Sequence, residues 1–182
     1  VAIDATSVVG GLILSAPAGS RHFQVPAGKT LTLRGLTLEN GDAGGDGGSI
    51  YCEGAVILER CTLQDNFSAF NGGAVALSGA ASSLQALNCT FLNNEATGQG
   101  GAIRSTSGTV TLTQCTLTQN TAAFDGGIAL PGPDGTLNLI HCTITGNEGG
   151  DGVGGVNMGF NNEVTLINSI IAGNTTTSGS SV

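Results

Sequence analysis

The chain has 182 residues, a formal net charge of −8 at pH 7 and only five lysines and arginines, so it lacks the basic patch that nucleic acid or anionic lipid would require. Glycine is abundant, aromatic residues make up 4% and tryptophan is absent, a composition unlike that of a typical α/β enzyme. No apolar run approaches the roughly 18 residues that span a bilayer, so we expect no direct membrane insertion.

Residues 1–29 are the least regular part of the chain, and we expect them to form an atypical N-terminal coil. Residues 1–4 alternate apolar and polar side chains, and residues 16–20 and 26–28 are typical of turns. Gly10 and Gly11 resemble the double glycines that recur later in the chain. Terminal repeats of repetitive proteins usually depart from the common pattern in this way.

From residue 30 to residue 174, a unit of 25–28 residues recurs. Apolar and polar residues alternate within it, as in a strand with one buried face. One column of equivalent positions is mostly cysteine: Leu36, Cys61, Cys89, Cys115, Cys142 and Ser169. A later column is mostly asparagine: Gly41, Asn66, Asn94, Asn120, Asn147 and Asn174. Double glycines recur at residues 47–48, 72–73, 100–101, 126–127 and 154–155.

This period predicts an all-β fold, a right-handed parallel β-helix (solenoid) of about six coils that forms a single domain over residues 1–182. Each coil is expected to hold two or three short strands, stacked about 4.8 Å from the same strands of the next coil. A leucine-rich repeat would need a helical side that these loops do not supply, and propeller blades are longer, at about 40 residues. Residues 175–182 are expected to form a polar tail.

Two motif pairs carry a resemblance to known families. Residues 100–103, Gly-Gly-Ala-Ile, and residues 91–94, Phe-Leu-Asn-Asn, resemble the paired motifs of polymorphic outer-membrane protein repeats, which are autotransporter passengers. Residues 35–38 and 89–91 are similar to segments of secreted bacterial right-handed β-helix proteins with a pectin lyase-like fold. The resemblance covers roughly residues 1–175 and implies a β-helix. It implies no single function, because family members include adhesins, structural surface proteins and some polysaccharide enzymes.

The two columns predict internal ladders. Asparagines stacked in register pair their amides along the stack, which predicts a ladder of Asn66, Asn94, Asn120, Asn147 and Asn174. When cysteines stack with parallel Cβ vectors, their Cβ atoms lie about 4.8 Å apart, whereas a disulfide prefers a Cβ–Cβ distance of ~3.8 Å. We therefore expect buried free thiols at Cys61, Cys89, Cys115 and Cys142. No CxxC motif or paired histidine supports a metal or redox site, and His22 and His141 are isolated.

Two acidic, glycine-rich loops are weak candidates for calcium binding, through the carboxylates of Asp42, Asp46, Glu148 and Asp151. They lack the regularly spaced aspartates of calcium-binding solenoid repeats, so we favour ordinary surface loops. We expect no resident metal and no cofactor.

Polysaccharide cleavage would need clustered carboxylates, or an arginine or lysine base beside a calcium site. The arginines occupy no common column: Arg21, Arg34, Arg60 and Arg104. Asp46 and Asp125 share a loop position but lie three coils apart, about 14 Å by the strand spacing. Aromatic platforms for sugar rings are limited to Tyr51, Phe70 and Phe124. We therefore expect a chain without enzymatic activity.

A threonine row also allows an ice-binding alternative. The outward row is Thr37, Thr62, Thr90, Thr116 and Thr143. An ice-binding face needs a second regular row, and here the second row is broken: Glu39, Gln64, Leu92, Thr118, Thr145 and Ala172. Threonine is in any case a good strand residue, so this alternative is the weaker one.

These patterns favour a non-catalytic structural or adhesive module on a cell surface or outside the cell, bacterial in origin. The alternative is a polysaccharide-binding or polysaccharide-cleaving β-helix protein. The expected partner is a second copy stacked end to end into filaments, or a cell-surface or matrix molecule. The final coil is expected to expose Val164, Leu166, Ile170 and Ile171. A proline at Ile3 or Thr165 is expected to block such stacking by removing a backbone donor.

Overall fold

The computed structural model describes residues 1–177, which form a solenoid of parallel strands. Each regular coil contributes one strand to each of four sheets, which we number in chain order within a coil. The predicted parallel β-helix of about six coils is confirmed. The expectation of two or three strands per coil is wrong, since each regular coil has four. The additional strand has only two residues, too few to show an alternating pattern in the sequence.

The strands of each sheet pair with the strand before and after them in the stack. Sheet 1 contains β1 (Ala2–Asp4), β4 (Thr30–Arg34), β8 (Ala55–Glu59), β12 (Ser83–Leu87), β16 (Thr109–Thr113), β20 (Thr136–Ile140) and β24 (Glu163–Ile167). Sheet 2 contains β2 (Leu12–Ser15), β5 (Leu36–Glu39), β9 (Thr62–Gln64), β13 (Thr90–Leu92), β17 (Thr116–Thr118), β21 (Thr143–Thr145) and β25 (Ile170–Ala172). Sheet 3 contains β6 (Asp42–Ala43), β10 (Phe67–Ser68), β14 (Glu95–Ala96), β18 (Thr121–Ala122), β22 (Glu148–Gly149) and β26 (Thr175–Thr176). Sheet 4 contains β3 (Phe23–Val25), β7 (Ile50–Cys52), β11 (Val75–Leu77), β15 (Ile103–Ser105), β19 (Ile128–Leu130) and β23 (Val156–Met158).

The core lies inside the tube formed by the sheets. Strand β16 shows the pattern: Val110 and Leu112 point inward and are fully buried, and they pair with Leu137 and Leu139 of β20. The threonines between them face outward and are exposed or half-buried. Because the register repeats from coil to coil, each inward position becomes a continuous apolar row along the axis.

Two corners of each coil are made by a residue with positive φ. One set precedes the cysteine column: Gly35, Arg60, Asn88, Gln114, His141 and Asn168. The other precedes the asparagine column: Asn40, Asp65, Asn93, Gln119, Gly146 and Gly173. The left-handed conformation turns the chain sharply and directs the following side chain inward. It disfavours residues that have a Cβ, so Asn, Asp and Gly are the usual occupants.

The double glycines lie where sheet 3 turns into sheet 4, and they permit close contact between coils. A Cβ on Gly101 would lie 2.3 Å from the carbonyl oxygen of Gly126 and 2.4 Å from that of Thr121. Gly10 and Gly11, which resemble this motif in sequence, occupy a different place. They precede β2, which pairs with β5 in sheet 2, and nothing lies within 4 Å of either added Cβ.

The two ends of the stack differ from its middle. The first coil supplies strands to sheets 1, 2 and 4 only. At the other end, β26 lies within the stretch expected to be a polar tail, so the last coil extends further than the sequence suggested. The rest of that expected tail, residues 178–182, lies outside the described residues. None of residues 1–177 belongs to a helix long and apolar enough to cross a membrane.

Candidate functional site

The asparagine column forms a hydrogen-bonded ladder inside the corner between sheets 2 and 3. Asn120 is fully buried; its Nδ2 donates to Oδ1 of Asn147 at 2.8 Å, and its Oδ1 accepts from Nδ2 of Asn94 at 2.9 Å. Each Nδ2 also donates to a backbone carbonyl of the preceding coil, as Asn120 does to Phe91 at 3.0 Å. These bonds fit the ladder predicted from the sequence, which runs from Asn66 to Asn174.

A second polar column follows sheet 3, directly before the double glycines. Oδ1 of Asp46 accepts the backbone N–H of Asn71 at 3.1 Å, and Oδ1 of Asn71 accepts that of Gln99 at 3.0 Å. Oδ1 of Asp125 accepts the backbone N–H of Val153 at 3.2 Å. In the sequence these positions align, and the alignment suggested a catalytic role only as a possibility to be tested for the two acids. The structure shows that the same side chains cap backbone groups of the next coil.

The two acids of this second column have further partners. Asp46 also accepts from Nδ2 of Asn71 at 2.8 Å, and its other oxygen lies 3.8 Å from Nη1 of Arg104. Asp125 is 1% exposed, and its Oδ1 also accepts from Nδ2 of Asn157 at 2.9 Å. The other carboxylate oxygen of Asp125 is buried without a hydrogen-bond partner among the described residues.

The cysteine column lies inside the corner between sheets 1 and 2. All five cysteines are buried and free. The Sγ of Cys115 lies 3.4 Å from the carbonyl oxygen of Ala86 in the preceding coil and 3.3 Å from that of Thr113 in its own coil. Its single S–H can donate to either oxygen, and the Ala86 contact joins adjacent coils. Contacts with the neighbouring thiols Cys115 and Cys61, together with burial, raise the pKa of Cys89. Cys52 lies outside this column, in sheet 4, and burial raises its pKa as well.

The calcium candidates are not brought together. Oδ2 of Asp42 accepts the backbone N–H of Gly19 at 2.9 Å, and Asp46 is engaged as described. Glu148 and Asp151 are exposed at the far end of the stack. Within residues 1–177 there is no group of three or more His, Cys, Asp or Glu side chains placed to hold a metal ion.

The outward threonine row lies on sheet 2, in the register predicted. Thr90 pairs with Thr62 and Thr116, and all three are half-buried. The adjacent row places Leu92 between Gln64 and Thr118, so the second row is irregular in the structure as in the sequence.

The outer face of sheet 3 carries a groove that the sequence did not indicate. The groove encloses about 390 Å³, and its acidic lining residues are Glu95 and Glu148. Both are exposed and belong to one outward row, with Thr121 between them. This sheet-3 groove also borders residues 97, 123 and 150. The only sequence signal for it was that each of these acids directly follows an asparagine of the ladder.

An aromatic ridge lies next to the sheet-3 groove. It consists of Phe70 and Phe124, which are 58% and 47% exposed. Between them in the stack lies Gly98, whose N–H donates to the Phe70 carbonyl at 2.6 Å and whose carbonyl accepts from Phe124 at 3.0 Å. Of the three aromatic residues considered from the sequence, these two share one column. Tyr51 lies elsewhere, on sheet 4, under the guanidinium of Arg21.

The last described coil leaves its inward row open. Val164, Leu166 and Ile171 are between 40% and 55% exposed, whereas the equivalent Val110, Leu112 and Leu117 are fully buried. Ile170, also expected to be exposed, is 60% exposed but continues the outward threonine row. The inward row would be covered by one further coil.

Comparison with known proteins agrees with this architecture. A family model described as a right-handed β-helix region matches residues 13–132. The chain therefore belongs to the right-handed β-helix family. A comparison with curated proteins finds no match, and a comparison with solved structures finds none either.

Proposed function

We propose that this chain is a non-catalytic structural or adhesive rod of a bacterial cell surface or extracellular matrix, and that it extends by stacking end to end. The observation that carries the proposal is how the polar side chains of the interior and corners are used. The asparagine ladder and the acids of the second column bind backbone groups of adjacent coils, and so hold the coils in register. These groups contribute to stiffness along the axis instead of facing a substrate.

Charge and location are consistent with this role. Adhesion or coating outside a cell requires no cofactor, and we propose none. The net charge of −8 favours solubility and opposes binding to nucleic acid. Buried free thiols are compatible with an oxidising compartment because the solvent does not reach them.

The proposal of end-to-end stacking is supported by the unpaired strand edges of the first and last described coils. In a parallel strand, alternate residues direct their N–H groups to opposite neighbours. Ala5 N–H donates to Arg34 in β4, so Ile3 also faces β4, whereas Ala2 and Asp4 face away from the stack. At the other end, Val164 and Leu166 face away by the same alternation, since Glu163 N–H donates to Gly135. A second copy would pair these groups and cover the exposed apolar row, and a head-to-tail contact of this kind continues into a filament.

This geometry corrects the test suggested by the sequence. Proline at Ile3 or Thr165 would break pairing within one molecule, because both N–H groups face the neighbouring coil of the same chain. Ala2→Pro removes an outward-facing donor at an exposed position, and Ala2→Thr is the matched control. We expect the wild type and Ala2→Thr to form unbranched fibres by sedimentation and electron microscopy, and Ala2→Pro to remain monomeric. Monomers alone in all three samples at high concentration would contradict end-to-end stacking.

The absence of catalysis is tested separately. Pectin, alginate and glucans incubated with the chain, with and without calcium, are expected to release no new reducing or unsaturated ends. Cleavage that is lost in Asp46→Ala or Asp125→Ala would overturn the non-catalytic assignment, provided that circular dichroism shows both variants to be folded.

A further inference from the structure

The aromatic ridge has a defined spacing along the rod. Phe70, Gly98, Phe124 and Gly152 are consecutive members of one column, joined by backbone hydrogen bonds of 2.6, 3.0 and 3.1 Å. The two phenylalanines therefore lie two coils apart, about 9.6 Å along the axis. A side chain at Gly98 would collide with the Phe70 carbonyl, since its Cβ would lie 2.6 Å from that oxygen. The position between the two phenylalanines therefore accepts only glycine, and no side chain lies between the rings in this column.

The acidic row of the sheet-3 groove has the same interval. Glu95 and Glu148 are also two coils apart, about 9.6 Å, with Thr121 between them. The acids belong to the coils that alternate with those of the rings, so the ridge and the row are offset by one coil, about 4.8 Å. None of the described residues that line the groove is a lysine or an arginine. The groove therefore offers rings on one side and unpaired negative charge on the other.

We propose that the sheet-3 groove and its aromatic ridge bind a basic, proline-rich polypeptide segment in the polyproline II conformation. That helix has three residues per turn and a rise of about 3.1 Å, so equivalent side chains recur every ~9.3 Å, close to the interval of both rows. Prolines at one position of the repeat pack on Phe70 and Phe124, as in other aromatic-lined grooves that recognise this helix. Lysine or arginine at a second position, one or two residues along, reaches Glu95 and Glu148.

The charge favours a peptide over a polysaccharide. A neutral sugar chain would use the rings but would leave both exposed carboxylates without opposite charge, and an anionic chain would be repelled by them. A basic segment of the same repeat pairs with both. The site acts on the side of the rod, so it does not depend on whether rods stack through their ends.

The test uses blocked peptides of Pro-Pro-Lys repeats and Pro-Pro-Glu repeats of equal length, titrated by calorimetry. We expect the lysine peptide to bind and the glutamate peptide not to bind. Phe124→Ala and Phe70→Ala should each weaken binding by about tenfold or more, the loss typical of an aromatic contact residue. Phe160→Ala, at a 90% exposed phenylalanine outside the ridge, is the control and should leave binding unchanged. The double variant Glu95→Gln with Glu148→Gln should abolish the preference for lysine.

The outcomes separate the alternatives. Equal binding of both peptides, or unchanged binding in both ridge variants shown to be folded by circular dichroism, would overturn the proposal. If a neutral β-linked glucan oligomer binds in a Phe124-dependent manner and the lysine peptide does not, the surface is a polysaccharide site instead. Equal losses in Phe160→Ala and Phe124→Ala would show that the contact is not specific to the groove.

Discussion

Oδ1 of Asn147 accepts two hydrogen bonds from Asn120, one from Nδ2 at 2.8 Å and one from the backbone N–H at 3.0 Å. The same arrangement links Asn94 to Asn120, so one side chain serves two adjacent coils. Buried amides of this kind stabilise the fold chiefly because leaving any partner unpaired is costly. The ladder thereby couples the stability of each coil to that of its neighbours.

Asn120→Ala is expected to lower the free energy of unfolding by about 1–3 kcal/mol, because Asn94 and the Phe91 carbonyl lose buried partners. The control is Asn138→Ala, a half-buried position on the outer face of sheet 1, with an expected change within about 0.5 kcal/mol. Urea unfolding measures both. Equal losses in the two variants would mean that the ladder adds nothing beyond an ordinary surface amide.

Gln114→Gly is expected to stabilise the chain by about 0.5–1 kcal/mol. Gln114 is exposed and has a φ of 53°, a conformation that disfavours residues with a Cβ by more than the extra backbone entropy that glycine loses on folding. Gln85→Gly, in the interior of β12, should destabilise instead, since that glutamine has extended backbone. Thermal unfolding of the two variants should shift in opposite directions, and shifts in the same direction would refute the strain argument.

Gly101→Ala is expected to destabilise by about 1–3 kcal/mol or more, because the new methyl group would lie 2.3 Å from the Gly126 carbonyl oxygen. Gly44→Ala is the matched control: nothing lies within 4 Å of its added Cβ, and its φ is not in the left-handed region. That variant should be neutral or slightly stabilising. Denaturant midpoints that are the same for both variants would show that the coils do not approach as closely as described.

His22 makes the stability of the first coil depend on pH. Burial lowers its pKa below the ordinary 6.5, although hydrogen bonds from its ring to the backbone act in the opposite direction. The unfolded chain therefore binds the proton more tightly, so the stability is fully present above about pH 6.5 and decreases as the pH falls towards the lower folded pKa. His22→Gln should remove this part of the pH dependence between about pH 7.5 and 5.5. Parallel curves for wild type and variant over that range would contradict it.

The thiols should report unfolding. All five cysteines are buried, so a thiol reagent dissolved in water does not reach them, and it is expected to label none of them in the native chain and all five in denaturant. Mass spectrometry counts the labels. Rapid labelling of Cys61, Cys89, Cys115 or Cys142 under native conditions would show that the corner between sheets 1 and 2 opens.

The architecture could be predicted because it is repeated. Cys115 and Asn120 are five residues apart, and their counterparts in neighbouring coils have the same separation. A pattern that would be too weak in one coil can be recognised because it recurs in six. Sheet 3 was missed because strands such as Glu95–Ala96 are too short to show a period. The aromatic ridge was missed for a different reason: Phe70 and Phe124 are separated in the column by Gly98, so only the hydrogen bonds between coils reveal that they align. Asp46 and Asp125 were aligned correctly, but their bonds to backbone N–H groups could not be read from residue type alone.

The two corners with positive φ have a consequence for how coils of this kind can change in length. Residue numbers rise by five from Val110 to Cys115 and by five again to Asn120, and the same intervals hold in the other regular coils. The path from Gly101 to Val110, by contrast, takes nine residues, and that from Gly73 to Leu84 takes eleven. One residue inserted between Val110 and Asn120 would move the side chains that follow it in that coil from the inward to the outward face, and the reverse. The largest differences in coil length therefore fall in the turn between sheets 4 and 1. The segment from the asparagine column to the double glycines varies by only one residue, since Asn120 to Gly126 takes six residues and Asn147 to Gly154 takes seven.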